Sequence, residues 1–290
     1  MFGSLCIPAA GGCFGSLRAE LFNMSRRIAC LTSLLIGLTG SVVSAHDTWL
    51  IPENFNVAPK TELTFDLTSG MEFPKLDVGP KPERVESPKC RLAGKTFDIS
   101  DKTAGPNSLQ FKAAMPEVGV AVVWAKLPPK SLELKPEQVK EYLDEVDAPE
   151  SLRTQWAEMK EKRWRESYTK HPKTFVRVGQ PQSDRSATEP VGMFLEIVPE
   201  KDPTALKAGD EFTVRVMKDG APFAGLSLNA VSAGAGKGET RKTDSAGRVA
   251  FKLEKTGRWL FRGTDIRKSN KADIDWESDF ATLTLEVPAK

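Results

Sequence analysis

The chain has 290 residues with 41 basic and 39 acidic side chains, a formal net charge of +2 and only two histidines. A balance this close to neutral excludes bulk-charge attraction to nucleic acid or to an anionic membrane. Its length allows a well-buried core in one or two domains.

Residues 1–45 read as a leader. Arg26 and Arg27 precede an apolar run from Ile28 to Val43 that is diluted with Ser, Thr and Gly and closes on Ser44-Ala45. That is a charged, apolar, small-residue order, which predicts export and cleavage after Ala45. The run falls short of the roughly 20 apolar residues a spanning helix needs. Met24 is the expected true start, and the Arg pair is a weak twin-arginine signal beside ordinary export. A periplasmic or secreted protein without a membrane span follows. Cys6, Cys13 and Cys30 leave with the leader, and Cys90 alone remains, so no internal disulfide can form. Basic residues then fall from 41 to 38 and acidic ones from 39 to 38, which keeps the mature chain near neutral.

Residues 46–131 are expected to form an N-terminal β domain. Thr61 to Leu67 and Ser108 to Lys112 alternate with the period of a half-buried strand, while Val118 to Leu127 is apolar enough for a strand covered on both faces. Prolines at 74, 80, 82, 88 and 106 exclude long helices there.

The period changes over 132–175, where an αα-hairpin insertion is predicted. Pro136 suits a first helical turn, and Val139, Tyr142, Leu143 and Val146 mark one face. A second helix is expected after Pro149, with Leu152, Trp156 and Met159 inward, ending before Pro172 and leaving His171 at its end.

From residue 190 to 290 the strand period returns, in a C-terminal β-sandwich. Phe194 to Val198, Phe212 to Val216 and Leu283 to Val287 are strands, and Asp219-Gly220 marks a hairpin. The fold class is therefore mainly β: two immunoglobulin-like β-sandwich modules with the helical hairpin between them. Trp259 and Trp276 are expected in the sandwich core.

No catalytic residues emerge, because no Ser or Cys has a His partner in any motif, and the protein is expected not to be an enzyme. Gly234-Ala235-Gly236-Lys237-Gly238 lacks the spacing of a phosphate loop and reads as a hairpin tip. Asp273, Asp275, Glu277 and Asp279 lack the Gly and terminal Glu of a calcium loop. His46 is different. Cleavage after Ala45 would make it the first residue, and its α-amine and ring nitrogen would then close on one metal ion as a chelate. Both groups lose their protons near neutral pH, and such nitrogen ligands suit Cu(II), Ni(II) or Zn(II). Asp47 would add a carboxylate and Met71 a soft sulfur that favours Cu(I).

Several stretches also carry a resemblance. They are His46-Asp47-Thr48-Trp49-Leu50-Ile51-Pro52, Leu195-Glu196-Ile197-Val198-Pro199, Leu206-Lys207-Ala208-Gly209-Asp210, Thr243-Asp244-Ser245-Ala246-Gly247-Arg248, Gly257-Arg258-Trp259 and Asp275-Trp276-Glu277-Ser278-Asp279-Phe280. Over nearly the whole mature chain it resembles an exported bacterial family of formally unknown function, often described as a periplasmic component of nickel or cobalt uptake. The resemblance implies a β-sandwich protein with a transport-linked role in binding Ni(II) or Co(II) and a membrane metal transporter as partner; taken with the His46 chelate, the expected ions are Ni(II), Co(II) or Cu(II). It also marks two departures: Met71 follows Gly70 where relatives often carry His, and Asp265 stands where relatives often carry another. The candidate metal set is His46, Asp47, Met71 and Asp265. The alternative is a structural or interaction scaffold of the cell envelope that holds no metal. A copper enzyme built on a histidine brace would need His171 opposite His46.

Overall fold

A computed structural model describes residues 46–181 and 184–289, so the expected leader, its cleavage site and its cysteines lie outside the described residues. The first strands are β1 (Asp47–Pro52), β2 (Asn56–Val57), β3 (Thr61–Gly70), β4 (Lys89–Leu92), β5 (Lys95–Asp98), β6 (Lys102–Ala104), β7 (Leu109–Met115), β8 (Gly119–Trp124) and β9 (Leu127–Leu134). Two helices follow, α1 (Pro136–Glu145) and α2 (Glu150–Glu158), and then the long strand β10 (Trp164–Val178). The remainder is β11 (Leu195–Pro199), β12 (Glu211–Lys218), β13 (Ala221–Pro222), β14 (Ser227–Ser232), β15 (Glu239–Lys242), β16 (Arg248–Lys252), β17 (Gly257–Lys268) and β18 (Trp276–Val287). The mainly β class with two helices is the one the hydrophobic periods predict.

Three sheets stack in layers. The central one has ten strands and runs β15-β14-β17-β18-β10-β8-β4-β5, with β2 and β9 also on β10. An outer sheet, β1-β3-β7-β6, covers one face, and a second, built of β11, β12, β13 and β16, covers the other. β10 is the hinge of this arrangement. It pairs parallel with β18 from Glu166↔Trp276 to Thr174↔Thr284, and antiparallel with β9 and β8 on its other edge. The N-terminal and C-terminal β modules therefore share a continuous sheet.

Because side chains alternate along a strand, the central sheet has two distinct faces. On the first, Val176 and Val178 of β10 join Ala121 and Val123 of β8 in a core with Leu50, Phe65 and Phe111 of the first outer sheet. On the second, Phe175 and Val122 join Phe261 and Leu283 beneath Phe212, Val214 and Phe251 of the other sheet. A third core lies on the first face under the helices. There Trp164 stacks on Trp276 with ring centroids 4.7 Å apart, and Tyr142, Leu143 and Leu152 close over them.

Two expectations need correction. The second helix stops at Glu158, and residues 164–178 are strand, so His171 sits inside the central sheet rather than at a helix end. Trp276 packs under the helices, whereas Trp259 does lie between the sheets. The turns follow their chemistry. Asp219 and Gly220 both take positive φ, 49° and 75°, as a tight hairpin between β12 and β13 requires. Asp244 Oδ1 accepts from the backbone N–H of Ala246 and of Arg248, both at 2.8 Å, and so shapes the next turn.

A shared sheet with buried material on both faces has no seam along which the modules can separate. Calorimetry should show a single unfolding transition whose van't Hoff and calorimetric enthalpies agree. Two resolved transitions would mean that the modules open independently.

Candidate functional site

The first described residue is pinned in place. Lys170 Nζ on β10 donates to His46 O at 2.6 Å and to Thr48 Oγ1 at 2.9 Å. Thr282 Oγ1 donates to Thr48 O and Thr284 Oγ1 to Leu50 O, so β1 is stapled across β10 and β18. On its edge β1 pairs antiparallel with β3 from Pro52↔Phe65 to Asp47↔Gly70. Continued one step, that register sets His46 across from Met71, which is 56% exposed.

Asp47 is already committed. Its carboxylate pairs with Arg262 Nη1 of β17, and Arg262 Nε donates to Asn229 Oδ1 of β14 at 3.2 Å. Burial raises the Asp47 carboxyl above its ordinary range, against the opposing pull of Arg262 and Lys170. Lys170 moves the other way. Burial lowers its ammonium to about 8, with the Asp47 charge opposing the shift.

The four sequence candidates do not converge. Asp47 and Met71 line one cleft, together with Trp49 and Phe73. Asp265 is elsewhere: it lies on the second face of the central sheet, where its carboxylate meets Lys218 Nζ at 2.8 Å and Arg267 Nη1 at 2.9 Å. Sheet alternation separates it from Asp47, since Arg262 and Asp265 on β17 are three residues apart and point to opposite faces. Among the described residues no three His, Cys, Asp or Glu side chains gather where they could hold a metal ion.

His171 is likewise on the second face. It is 1% exposed, and its Nε2 lies 2.7 Å from Asp279 Oδ1, while among the described residues its buried Nδ1 has no hydrogen-bond partner. That geometry fits an Nε2–H donating to a carboxylate. Burial pushes Asp279 up, but hydrogen bonds from His171 and Arg267 outweigh it and hold the carboxyl below the usual range. With its ring engaged there, His171 cannot oppose His46, and a histidine brace is ruled out by placement.

Beside it Lys173 Nζ meets Glu196 Oε1 of β11 at 2.7 Å, each side chain 1% exposed. Glu196 also accepts from the backbone N–H of Val191, Gly192 and Met193. A third buried carboxylate, Glu166, accepts from Tyr142 Oη at 2.8 Å, Trp164 Nε1 at 2.7 Å and Ser278 Oγ. Among the described residues no cation pairs with it, and burial raises its pKa. It ties α1 to the central sheet. Sequence reasoning missed Lys170 and Glu166 because both fall in the stretch read as helix and Lys173 because it falls in the same predicted insertion just past that helix, and it missed Arg262 because a lone Arg in a strand carries no signal.

The family described as "Domain of unknown function (DUF4198)" matches residues 43–264, which is most of the chain. The protein belongs to that family. No curated protein sequence matches it. Among solved structures, the Yersinia pseudotuberculosis adhesin InvE is 10% identical over 81% of this chain and 58% of its own, at a TM-score of 0.22. The I67–I69 fragment of the titin I-band is 7% identical over 82% of this chain and 65% of its own, at 0.21. The D00–D0 domain of intimin is 11% identical over 84% of this chain and 100% of its own, at 0.20. The DUF4198 chain spans less than two thirds of the adhesin and of the titin fragment. At such TM-scores its architecture is described by its own sheets.

Two measurements check the electrostatics. Lys173→Met leaves Glu196 charged and buried without its cation, and should cost about 3–5 kcal/mol in urea denaturation. Lys170 loses its proton near 8 when folded and near 10.5 when unfolded, so between those values the unfolded chain binds more protons and stability rises with pH. Thermal melts of the wild type from pH 8 to 10.5 should show that rise relative to Lys170→Met. Parallel curves would contradict it.

Proposed function

We propose that this DUF4198 protein is an exported, non-catalytic protein that binds a transition-metal ion at its processed amino terminus. The reading is supported by the register of β1 on β3, which ends at Asp47↔Gly70 on a strand fixed to the central sheet and, continued one step, would set residue 46 across from Met71. Once residues 1–45 are removed, the α-amine and imidazole of His46 supply two nitrogens and Met71 a thioether. Two such nitrogens favour Cu(II) and Ni(II), with Co(II) weaker in the same series, and the sulfur extends the preference to Cu(I). Asp47 serves as the partner of Arg262 and drops out of the ligand set, and Asp265 drops out with it. A terminus clamped by Lys170 needs little ordering on binding, which helps a site of few ligands. A membrane transporter of nickel or cobalt is the natural recipient of the ion. An envelope scaffold without metal is the competing reading, favoured by the lack of any three-residue His, Cys, Asp or Glu cluster among the described residues.

Amino-terminal sequencing of the exported protein should return His46. Cu(II), Ni(II) and Co(II) titrations should show one site per chain, weakened roughly a hundredfold or more, about 2.7 kcal/mol, by one Ala added before His46. Met71→Leu should weaken Cu(I) more than Cu(II). Equal binding with and without the added Ala, or none in either, leaves the scaffold reading.

A further inference from the structure

The strands β14, β15 and β17 turn an unusually polar set of side chains to one side of the central sheet. Asn229 pairs across from Arg262 on one edge and from Thr240 on the other, so these three share a face, and alternation adds Ser227 and Thr264 to it. All five are half-buried or exposed, whereas Leu228, Ala230 and Gly263 between them are buried on the opposite face. With the end of α1 and the hairpin tip at 236–238, this polar face encloses a cleft of about 270 Å3. Nothing assigned so far uses it.

Its hydrogen bonds run in one direction. Asp47 holds Arg262 at Nη1, Arg262 Nε donates to Asn229 Oδ1 at 3.2 Å, and Asn229 Nδ2 donates to Thr240 Oγ1 at 2.8 Å. Because the Thr240 oxygen is the acceptor at the end of this relay, its own O–H is left to donate. Among the described residues Arg262 Nη2 makes no hydrogen bond, and neither does the hydroxyl of Ser227 or of Thr264. Gly238 fixes the amide in the middle: a Cβ there would come within 2.6 Å of Asn229 Oδ1 and 2.5 Å of Ala230 O, so glycine lets the hairpin tip close down on β14. Donors and acceptors held in place before a ligand arrives cost little entropy on binding, and a chain of them polarises its last member.

An ion of neither sign is favoured in this space. Arg262 is paired with Asp47, and Asp144 is occupied by Lys140 and Arg153, each at 2.6 Å. Lys237 and Asp147, both exposed lining residues, oppose one another in charge. What the cleft offers is unspent hydroxyl and guanidinium groups beside the apolar lining of Val146 and Phe280. A sugar hydroxyl donates one hydrogen bond and accepts others, as this mixture requires. The volume lies near the lower end of the roughly 300–1,000 Å3 of small-molecule sites, which suits a single ring.

We infer that this cleft binds a neutral monosaccharide in its pyranose form. Neighbouring hydroxyls of the ring meet Arg262 Nη2 and Thr240 Oγ1, a further one meets Ser227 and Thr264, and the C–H groups lie against Val146 and Phe280. The site uses none of the atoms proposed to hold metal and does not depend on processing at residue 46.

The test is isothermal titration of the exported protein in EDTA, which keeps the terminal chelate empty, with the methyl α-pyranosides of D-glucose, D-mannose and D-galactose. At least one should saturate a single site per chain. Hydroxymethyl-tetrahydropyran, which keeps the ring and lacks its hydroxyls, should bind roughly tenfold or more weakly than that sugar. Asn229→Ala, which breaks the relay, should weaken the sugar by a similar factor. Thr264→Val removes one hydroxyl and keeps a β-branched residue suited to the strand, so it should weaken the sugar while leaving the melting temperature and Cu(II) binding unchanged. The inference is overturned if none of the three sugars binds, if the ring without hydroxyls binds as well, or if neither variant changes the affinity; a failed metal titration would leave it standing.

Discussion

β10 is the constraint on which the rest of this structure depends. This strand of fifteen residues pairs in parallel with β18 from Glu166 to Thr174 and turns alternate side chains to opposite faces of the central sheet. One face receives Trp164, Glu166, Lys170 and Val176, and with them the helical hairpin and the first outer sheet. The other receives His171, Lys173 and Phe175, and with them the second outer sheet. A one-residue slip of β10 would exchange the two sets and bury each against the wrong partners.

The buried polar groups make that slip costly. Lys173 needs Glu196, His171 needs Asp279, and Glu166 needs the donors of Tyr142, Trp164 and Ser278. Each is satisfied only in the observed register, and an unpaired buried charge costs far more than the paired one contributes. In a strand flanked by parallel pairing, where register is less constrained by local turns, such pairs act mainly as specificity devices.

The same strand fixes the candidate site. Lys170 reaches across the first face to hold residue 46, and Arg262, two strands over, holds Asp47. The start of β1, the end of α1, the 233–238 hairpin and β17 come together at that point, although they are spread over more than 200 residues of chain. None of these elements forms a cleft alone. The walls carry opposite charges because one is a helix C-terminus with acidic residues and the other a strand bearing Arg262.

Much was legible from the chain alone. The strand period over 61–70 and 211–218, the helix face of Val139, Tyr142 and Leu143, and the Asp-Gly and Asp244 to Gly247 turns are local properties, and local properties are written in spacing. Trp164, Tyr168 and His171 recur at intervals of four and three, which imitates a helix, and the polar residues buried in this strand, Glu166, His171, Lys173 and Thr174, hide the strand period. Only tertiary structure decided that 164–178 is a strand, that it joins two modules through pairing more than 100 residues away, and that Asp265 faces away from Asp47 while Asp47 pairs with Gly70. Alternation divides a strand's residues into two sets, but which set meets which partner is settled by contacts that no local window contains.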